Sequence, residues 1–140
     1  MRQVYYDLGI LFKMINIRLK ARIDEHFKEI DLTTTQARAL RYFFEHGDCS
    51  QRDFERISGL SHSTVSGLID RLEDKGYLKT SREGRNRMIK TTEKKLEFKS
   101  FIDKSIEENN KQMVTGMGAE EQRLLHELLL KVLANLEKED

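Results

Sequence analysis

The chain has 140 residues, of which 35% are charged, and a formal net charge of +1. This length suits one domain with a buried core. No apolar run is long enough to span a bilayer and no apolar segment follows a basic start, so the sequence predicts a cytoplasmic protein with no membrane partner. The single cysteine, Cys49, excludes an internal disulfide, and the Cys and His residues lack zinc-finger spacing.

The charge is unevenly distributed along the chain. Residues 75–95 hold 8 Lys or Arg and 2 Asp or Glu, a net charge of +6, whereas residues 96–140 hold 6 and 10. A localised basic segment is the electrostatic footprint expected of a nucleic-acid-binding protein. An ordinary solvated surface can have the same composition, so the charge alone does not decide between the two.

The first predicted element is a helix from residue 2 to about 30. Apolar side chains recur there at spacings of three or four residues, which forms one stripe along the helix. The stripe consists of Val4, Leu8, Leu11, Ile15, Leu19, Ile23 and Phe27. Ile10, Met14 and Ile17 widen it. A helix this long with two apolar faces indicates a partner beyond its own chain.

Two shorter helices are predicted next. Thr33 can cap the second helix, with Gln36 standing where a capping-box partner reaches back. Ser50 and Asp53 form a similar start for the third helix, and Gly59 ends it.

A fourth helix is predicted in GLSHSTVSGLIDRLEDKG, residues 59–76. Ser61 caps it, Gly76 ends it, and Val65, Leu68, Ile69 and Leu72 form its buried face. About three residues separate it from the third helix, which is the sequence form of a helix-turn-helix. Its first turn carries hydroxyl side chains and no acid, so its unpaired N–H groups are open to an external anion such as a DNA phosphate.

A hairpin is predicted after the fourth helix. YLKTSR and RMIKTT form strands around the loop EGRN, with Gly84 as the turn residue. Leu78, Thr80, Ile89 and Thr91 are expected to pack on the helices. The outward side of the fourth helix is polar or small, so it could enter a major groove about 12 Å wide while the hairpin arginines reach the adjacent minor groove. The alternative is a purely structural helical core with a small hairpin.

Two further helices are predicted at the C-terminal end. Leu96, Phe101, Ile102 and Ile106 mark a long helix, with a break near Gly116 and Gly118. The last helix begins at Ala119 and is apolar over half its circumference. Its apolar residues are Leu124, Leu125, Leu128, Leu129, Val132, Leu133 and Leu136.

The motifs resemble those of a known family. LTTTQARAL at 32–40, CSQRDFERISGLSHSTVSGLIDRLEDKGYL at 49–78 and TTEKK at 91–95 are similar to successive signatures of the MarR family of winged-helix transcription regulators. The resemblance implies a mainly α fold with a small β-hairpin wing and long N- and C-terminal dimerisation helices. It divides a single MarR-like domain, 1–140, into a dimerisation region (1–30 and 96–140) and a DNA-binding region (31–95).

The resemblance also implies a function. Such a regulator is a homodimer, here expected to be a repressor, that binds a pseudo-palindromic operator in double-stranded DNA and is released by a ligand or a modification. The residues expected at the DNA are Ser61, His62, Ser63, Thr64, Ser66, Arg71, Arg82, Arg85, Asn86 and Arg87. Arg18, Arg38 and Tyr42 are expected to line a pocket for a small aromatic acid, although surface ion pairs or core contacts would explain them equally well.

Two departures from the family pattern bear on the site. The wing is short, and the Asp that normally braces a wing arginine has no clear counterpart in it. His62 stands where an arginine is frequent.

Other kinds of site find little support. The histidines are scattered, Cys49 is better explained as a partly buried inert thiol than as a redox centre, and GLSHS lacks the last glycine of a nucleophile elbow. The sequence therefore predicts no metal, no cofactor and no catalytic residue. The rival hypothesis is a helical protein-interaction module that dimerises through its leucine-rich ends and binds an acidic partner through the basic hairpin.

Overall fold

The computed structural model describes residues 7–137 and shows helices around a small antiparallel sheet. The helices are α1 (Leu8–Phe27), α2 (Thr34–His46), α3 (Gln51–Ser58), α4 (His62–Asp74), α5 (Lys94–Met113) and α6 (Ala119–Glu137), with a 3₁₀ turn at Lys28–Ile30. The strands are β1 (Cys49–Ser50), β2 (Leu78–Glu83) and β3 (Asn86–Thr91), in the spatial order β1–β3–β2. This is the mainly helical fold with a small hairpin that the sequence predicts.

Local capping chemistry sets where the short helices begin. The Thr33 hydroxyl accepts a hydrogen bond from the Gln36 backbone N–H, and the Gln36 side chain accepts one from the Thr33 N–H, which completes the predicted capping box. Ser50 caps α3 and Ser61 caps α4 in the same manner. Gly59 ends α3 in the left-handed conformation, at a φ of 69°, which glycine adopts without a Cβ penalty.

The buried core lies within the first of two compact units, which divide between Ile106 and Glu107, inside α5. Its fully buried large side chains include Phe27 at the end of α1, Phe43 and Phe44 of α2, and Ile69 and Leu72 of α4. In the second unit α6 has no buried residue, and its leucines are exposed.

The wing, β2 and β3 with their connection, is shorter in its turn than the sequence predicts. Glu83 pairs with Asn86, so Gly84 and Arg85 alone form the turn. Gly84 has a φ of 61°, as the predicted turn residue requires. Glu83 and Asn86, which the sequence places in the loop, are therefore strand residues, whereas Arg82 and Arg87 lie in strands as predicted.

Two packing predictions are only partly confirmed. In the wing, Leu78 and Ile89 are buried, whereas Thr80 and Thr91 are half-buried. In α5, Ile102 is buried but Leu96 is 89% exposed. Leu96 precedes Ile102 by six residues, which places it about 120° away around the helix, so the two side chains cannot share a face.

The first helix also differs from its prediction. It begins with Asp7 as its cap and gives way to the 3₁₀ turn after Phe27, whereas the sequence predicts one helix from 2 to about 30. Val4 lies outside the described residues. Only Ile23 and Phe27 of the predicted stripe are fully buried, and the side chains of Leu8 and Ile15 are exposed.

Candidate nucleic-acid interface

The start of α4 presents a cluster of exposed hydroxyl groups. The Ser61 Oγ accepts from the Thr64 N–H at 3.2 Å and lies 2.8 Å from the Thr64 hydroxyl and 3.4 Å from that of Ser63. The first turn contains no acidic residue. These hydroxyls can donate to phosphates or base edges, and the helix N-terminus favours an anion beside them.

The outward face of α4 is small and polar over its first three turns. Ser63, Thr64 and Arg71 are exposed, and Ser66 and Gly67 are half-exposed. A Cβ placed on Gly67 would lie 3.2 Å from the Arg71 Nη1, so the absence of a side chain lets the guanidinium lie along the helix surface. A face of this kind allows the helix to approach a groove closely.

A groove of about 230 Å³ runs between α3, α4 and the wing. It brings together six of the residues predicted to contact DNA and three that the sequence argument missed. Its lining residues are Gln51, Arg52, Glu55, His62, Ser66, Arg82, Arg85, Asn86 and Arg87. Ser61, Ser63, Thr64 and Arg71 lie outside this lining, on α4 and its cap. Gln51, Arg52 and Glu55 are missed because α3 shows no signal beyond its cap, although the spacing of Gln51 and Glu55 places both on one face.

His62 is held at the mouth of this groove by α3. Its Nδ1 lies 3.0 Å from the Glu55 Oε2 and 3.3 Å from the Gln51 Nε2. The carboxylate is the closer and charged partner, so we assign the Nδ1 proton as donated to Glu55. The first turn of α4 has no acid of its own, as predicted, but α3 supplies a carboxylate beside it across the turn.

The sequence predicts that Arg87 contacts DNA, but its guanidinium is paired with carboxylates of α4. Its Nη2 donates to the Asp70 Oδ1 at 2.7 Å and lies 3.5 Å from the Glu73 Oε1, and its side chain is 15% exposed. Arg87 thus points back onto α4 from β3. The wing itself lacks the usual bracing Asp, as the sequence indicates, and α4 provides carboxylates in its place.

Of the three predicted effector residues, Arg38 lines a cavity between the first two helices. A cavity of about 420 Å³ lies between α1 and α2, lined by Asn16, Leu19, Lys20, Ile23, Thr34, Thr35 and Arg38. Burial and then repulsion from Arg41 lower the pKa of Arg38 from its ordinary value. Arg18 instead donates to the Met14 carbonyl, and Tyr42 stacks on His46 with ring centroids 4.2 Å apart. Arg18 and Tyr42 therefore lie outside the lining of this cavity, and their part in effector binding stays a prediction.

Cys49 lies in β1 and is half-buried, as predicted. Burial, with nearby Asp53 and Asp48, raises the pKa of its thiol to about 11. Within residues 7–137 no group of three or more His, Cys, Asp or Glu is arranged to hold a metal ion. No helix of this described part is long and apolar enough to cross a membrane.

Comparisons with known proteins find similarity to this chain both in sequence and in fold. Residues 30–87 match the MarR family, and this segment contains every residue predicted to contact DNA. The HTH-type transcriptional regulator YwaE of Bacillus subtilis (strain 168) is 29% identical over 130 residues, covering 85% of this chain and 72% of YwaE.

Solved MarR-family structures superpose on most of the chain. The transcription regulator MarR from Oenococcus oeni PSU-1 is 28% identical with a TM-score of 0.76, covering 91% of this chain and 99% of its own. S. aureus MepR, in a complex with DNA, is 25% identical with a TM-score of 0.85, covering 91% of this chain and 96% of its own. The chain is accordingly similar, in sequence over residues 30–87 and in fold over most of its length, to MarR-family transcription regulators.

Proposed function

We propose that the protein represses transcription by binding a pseudo-palindromic operator as a homodimer. In this proposal α4 enters the major groove and the wing tip reaches the adjacent minor groove. The observation that carries it is the groove between α3, α4 and the wing, in which Arg52, Arg82 and Arg85 lie with Ser66, next to the exposed hydroxyl groups at the start of α4. Cations and hydroxyls in one concave strip suit a phosphate backbone that flanks readable base edges.

The family supports this proposal, because MarR-family proteins are transcription regulators rather than enzymes and MepR has been solved with DNA. The dimer is supported by apolar side chains that need cover. In α1, Leu8 and Ile17 are each 59% exposed, and in α6 a row of leucines is exposed. Two copies would present two α4 helices about one DNA turn, roughly 34 Å, apart.

Release by a small anion is part of the proposal. The cavity between α1 and α2 places Lys20 and Arg38 beside the hydroxyl-bearing Thr34 and Thr35. A carboxylate could be paired and hydrogen-bonded there. An aromatic acid that raises the thermal midpoint and lowers the affinity for DNA would support this role, and an Arg38→Ala variant should lose both responses.

The proposed DNA contacts can be tested by titration on operator and scrambled duplexes at several salt concentrations. The operator is first located by protection mapping upstream of the protein's own gene. Replacing Ser63 or Thr64 by Ala should change base preference, at a cost of about 1–3 kcal/mol for each lost base-edge contact. Absence of binding to any duplex at low salt would overturn the proposal and favour a protein-interaction module.

A further inference from the structure

We propose that Glu73 and Asp70 of α4 position the wing on DNA, and that Arg87 is a positioning residue rather than a DNA contact. The inference deepens the proposed function and rests on it. Under this proposal, one group of basic wing residues faces the DNA, and Arg87 holds the wing in place.

Glu73 joins α4 to both strands of the wing. Its Oε2 accepts hydrogen bonds from the Thr80 backbone N–H and from the Thr80 hydroxyl, each at 2.8 Å. Its Oε1 lies 3.5 Å from the Arg87 Nη2. Because Thr80 belongs to β2 and Arg87 to β3, a single carboxylate is bonded to both sides of the hairpin.

Arg87 completes the connection through Asp70, whose carboxylate lies 2.7 Å from the Arg87 guanidinium. Asp70 is one helical turn before Glu73, so the guanidinium lies against two successive turns of α4. Its 15% exposure contrasts with Arg82 and Arg85, which are both exposed. Both contacts use the Nη2 of Arg87, and the two neighbouring carboxylates offset the charge of this guanidinium and repel a phosphate beside it.

These bonds fix the direction of the wing relative to α4. Leu78 and Ile89 anchor the base of the hairpin in the core, while Arg85 lies at its turn. Between base and turn, the carboxylates of α4 hold the strands. Arg85 therefore approaches DNA from a position set before binding, which lowers the ordering cost of its contact.

A double-mutant cycle separates positioning from contact. Arg85→Ala, Arg87→Ala and the double variant are titrated by fluorescence anisotropy against operator and scrambled duplexes at several salt concentrations. If Arg87 acts through Arg85, each single variant loses about the same affinity, near tenfold, and the double variant loses no more. The salt slope falls by about 0.9 in all three variants, as for one phosphate contact.

The acidic residues give a second test, in which the positioning role and simple electrostatics predict opposite changes in DNA affinity. Glu73→Gln removes a negative charge, so simple electrostatics predicts tighter binding. Loss of positioning predicts weaker binding, by about threefold or more. Asp74→Asn is the matched control. Asp74 is exposed at the end of the same helix and makes no hydrogen bond or ion pair within residues 7–137, so its replacement should leave DNA binding unchanged or slightly tighter.

The outcomes distinguish this inference from the proposed function. If the unmodified protein fails to bind DNA, the proposed function fails first. If it binds, but the losses at Arg85 and Arg87 multiply or Glu73→Gln tightens binding, the positioning role is overturned. Thermal midpoints are measured for every variant. Arg87→Lys keeps the charge but not the planar fork, so it should retain less than half of the coupling with Arg85. An independent phosphate contact by residue 87 would survive this substitution.

Discussion

At the scale of single residues, the Glu55 carboxylate is the unexpected member of the groove between α3, α4 and the wing. Arg52, Arg82 and Arg85 surround the same space, and Glu55 lies 3.0 Å from the His62 Nδ1. A carboxylate in this place repels phosphates, and its hydrogen bond to the His62 imidazole holds it beside the first residue of α4.

Cys49 is expected to react slowly in the folded protein. Its pKa is raised from 9.0 to about 11, so at pH 8 the thiolate fraction is roughly a hundredfold lower than in the unfolded chain. Folding favours the protonated thiol, and this contribution to stability is complete below pH 9 and is lost as the pH rises towards 11. A thiol reagent should thus modify Cys49 about a hundredfold faster in urea than in buffer. Equal rates would show a reactive native thiol.

At the scale of secondary-structure elements, the side chain of Gln36 connects the start of α2 with the end of α4. Its Oε1 accepts from the Thr33 N–H at 3.1 Å and from the Lys75 Nζ at 3.0 Å. Lys75 also donates to the Asp31 carbonyl and is the C-cap of α4. The capping box therefore does more than begin α2, since Gln36 also holds the residue that ends α4.

Gln36→Ala should lower the free energy of unfolding by about 1–2 kcal/mol, because a buried side chain with two hydrogen bonds is removed from a cap. Thr35→Ala, one residue earlier and exposed, should change it by less than about 0.5 kcal/mol. Urea denaturation measures both. Equal effects in the two variants would mean that the connection between α2 and α4 contributes nothing.

Which contacts of the fold could be predicted from the sequence depends on how far apart along the chain the two partners lie. The caps at Thr33, Ser50 and Ser61 depend on partners three residues away, so the sequence shows both halves of each interaction. The ion pair of Arg87 with Asp70 spans 17 residues and depends on the strand register, which no local pattern reveals. The contact of Glu55 with His62 crosses the turn between two helices and is hidden for the same reason.

At the scale of the whole molecule, the exposed leucines of α6 are the strongest argument that the chain does not act alone. Leu124, Leu128 and Leu133 are each about half-exposed, and Leu125 and Leu129 are exposed by 36% and 41%. Apolar area of this extent contributes roughly 25 cal/mol for each Å² that association removes from water. A monomeric protein rarely exposes a contiguous apolar patch so large.

We therefore expect a dimer in sedimentation experiments at micromolar concentration, and a monomer when Leu128 and Leu129 are both changed to Glu, since two buried carboxylates would each oppose association. His126→Glu is the control, because it adds the same side chain about 200° around the helix from Leu128. The monomer should bind a half-site with the salt dependence of a single subunit and should lose the tight binding of the full operator, because the two α4 helices are no longer linked. A stable monomer of the unmodified protein would contradict both the dimer and the palindromic operator.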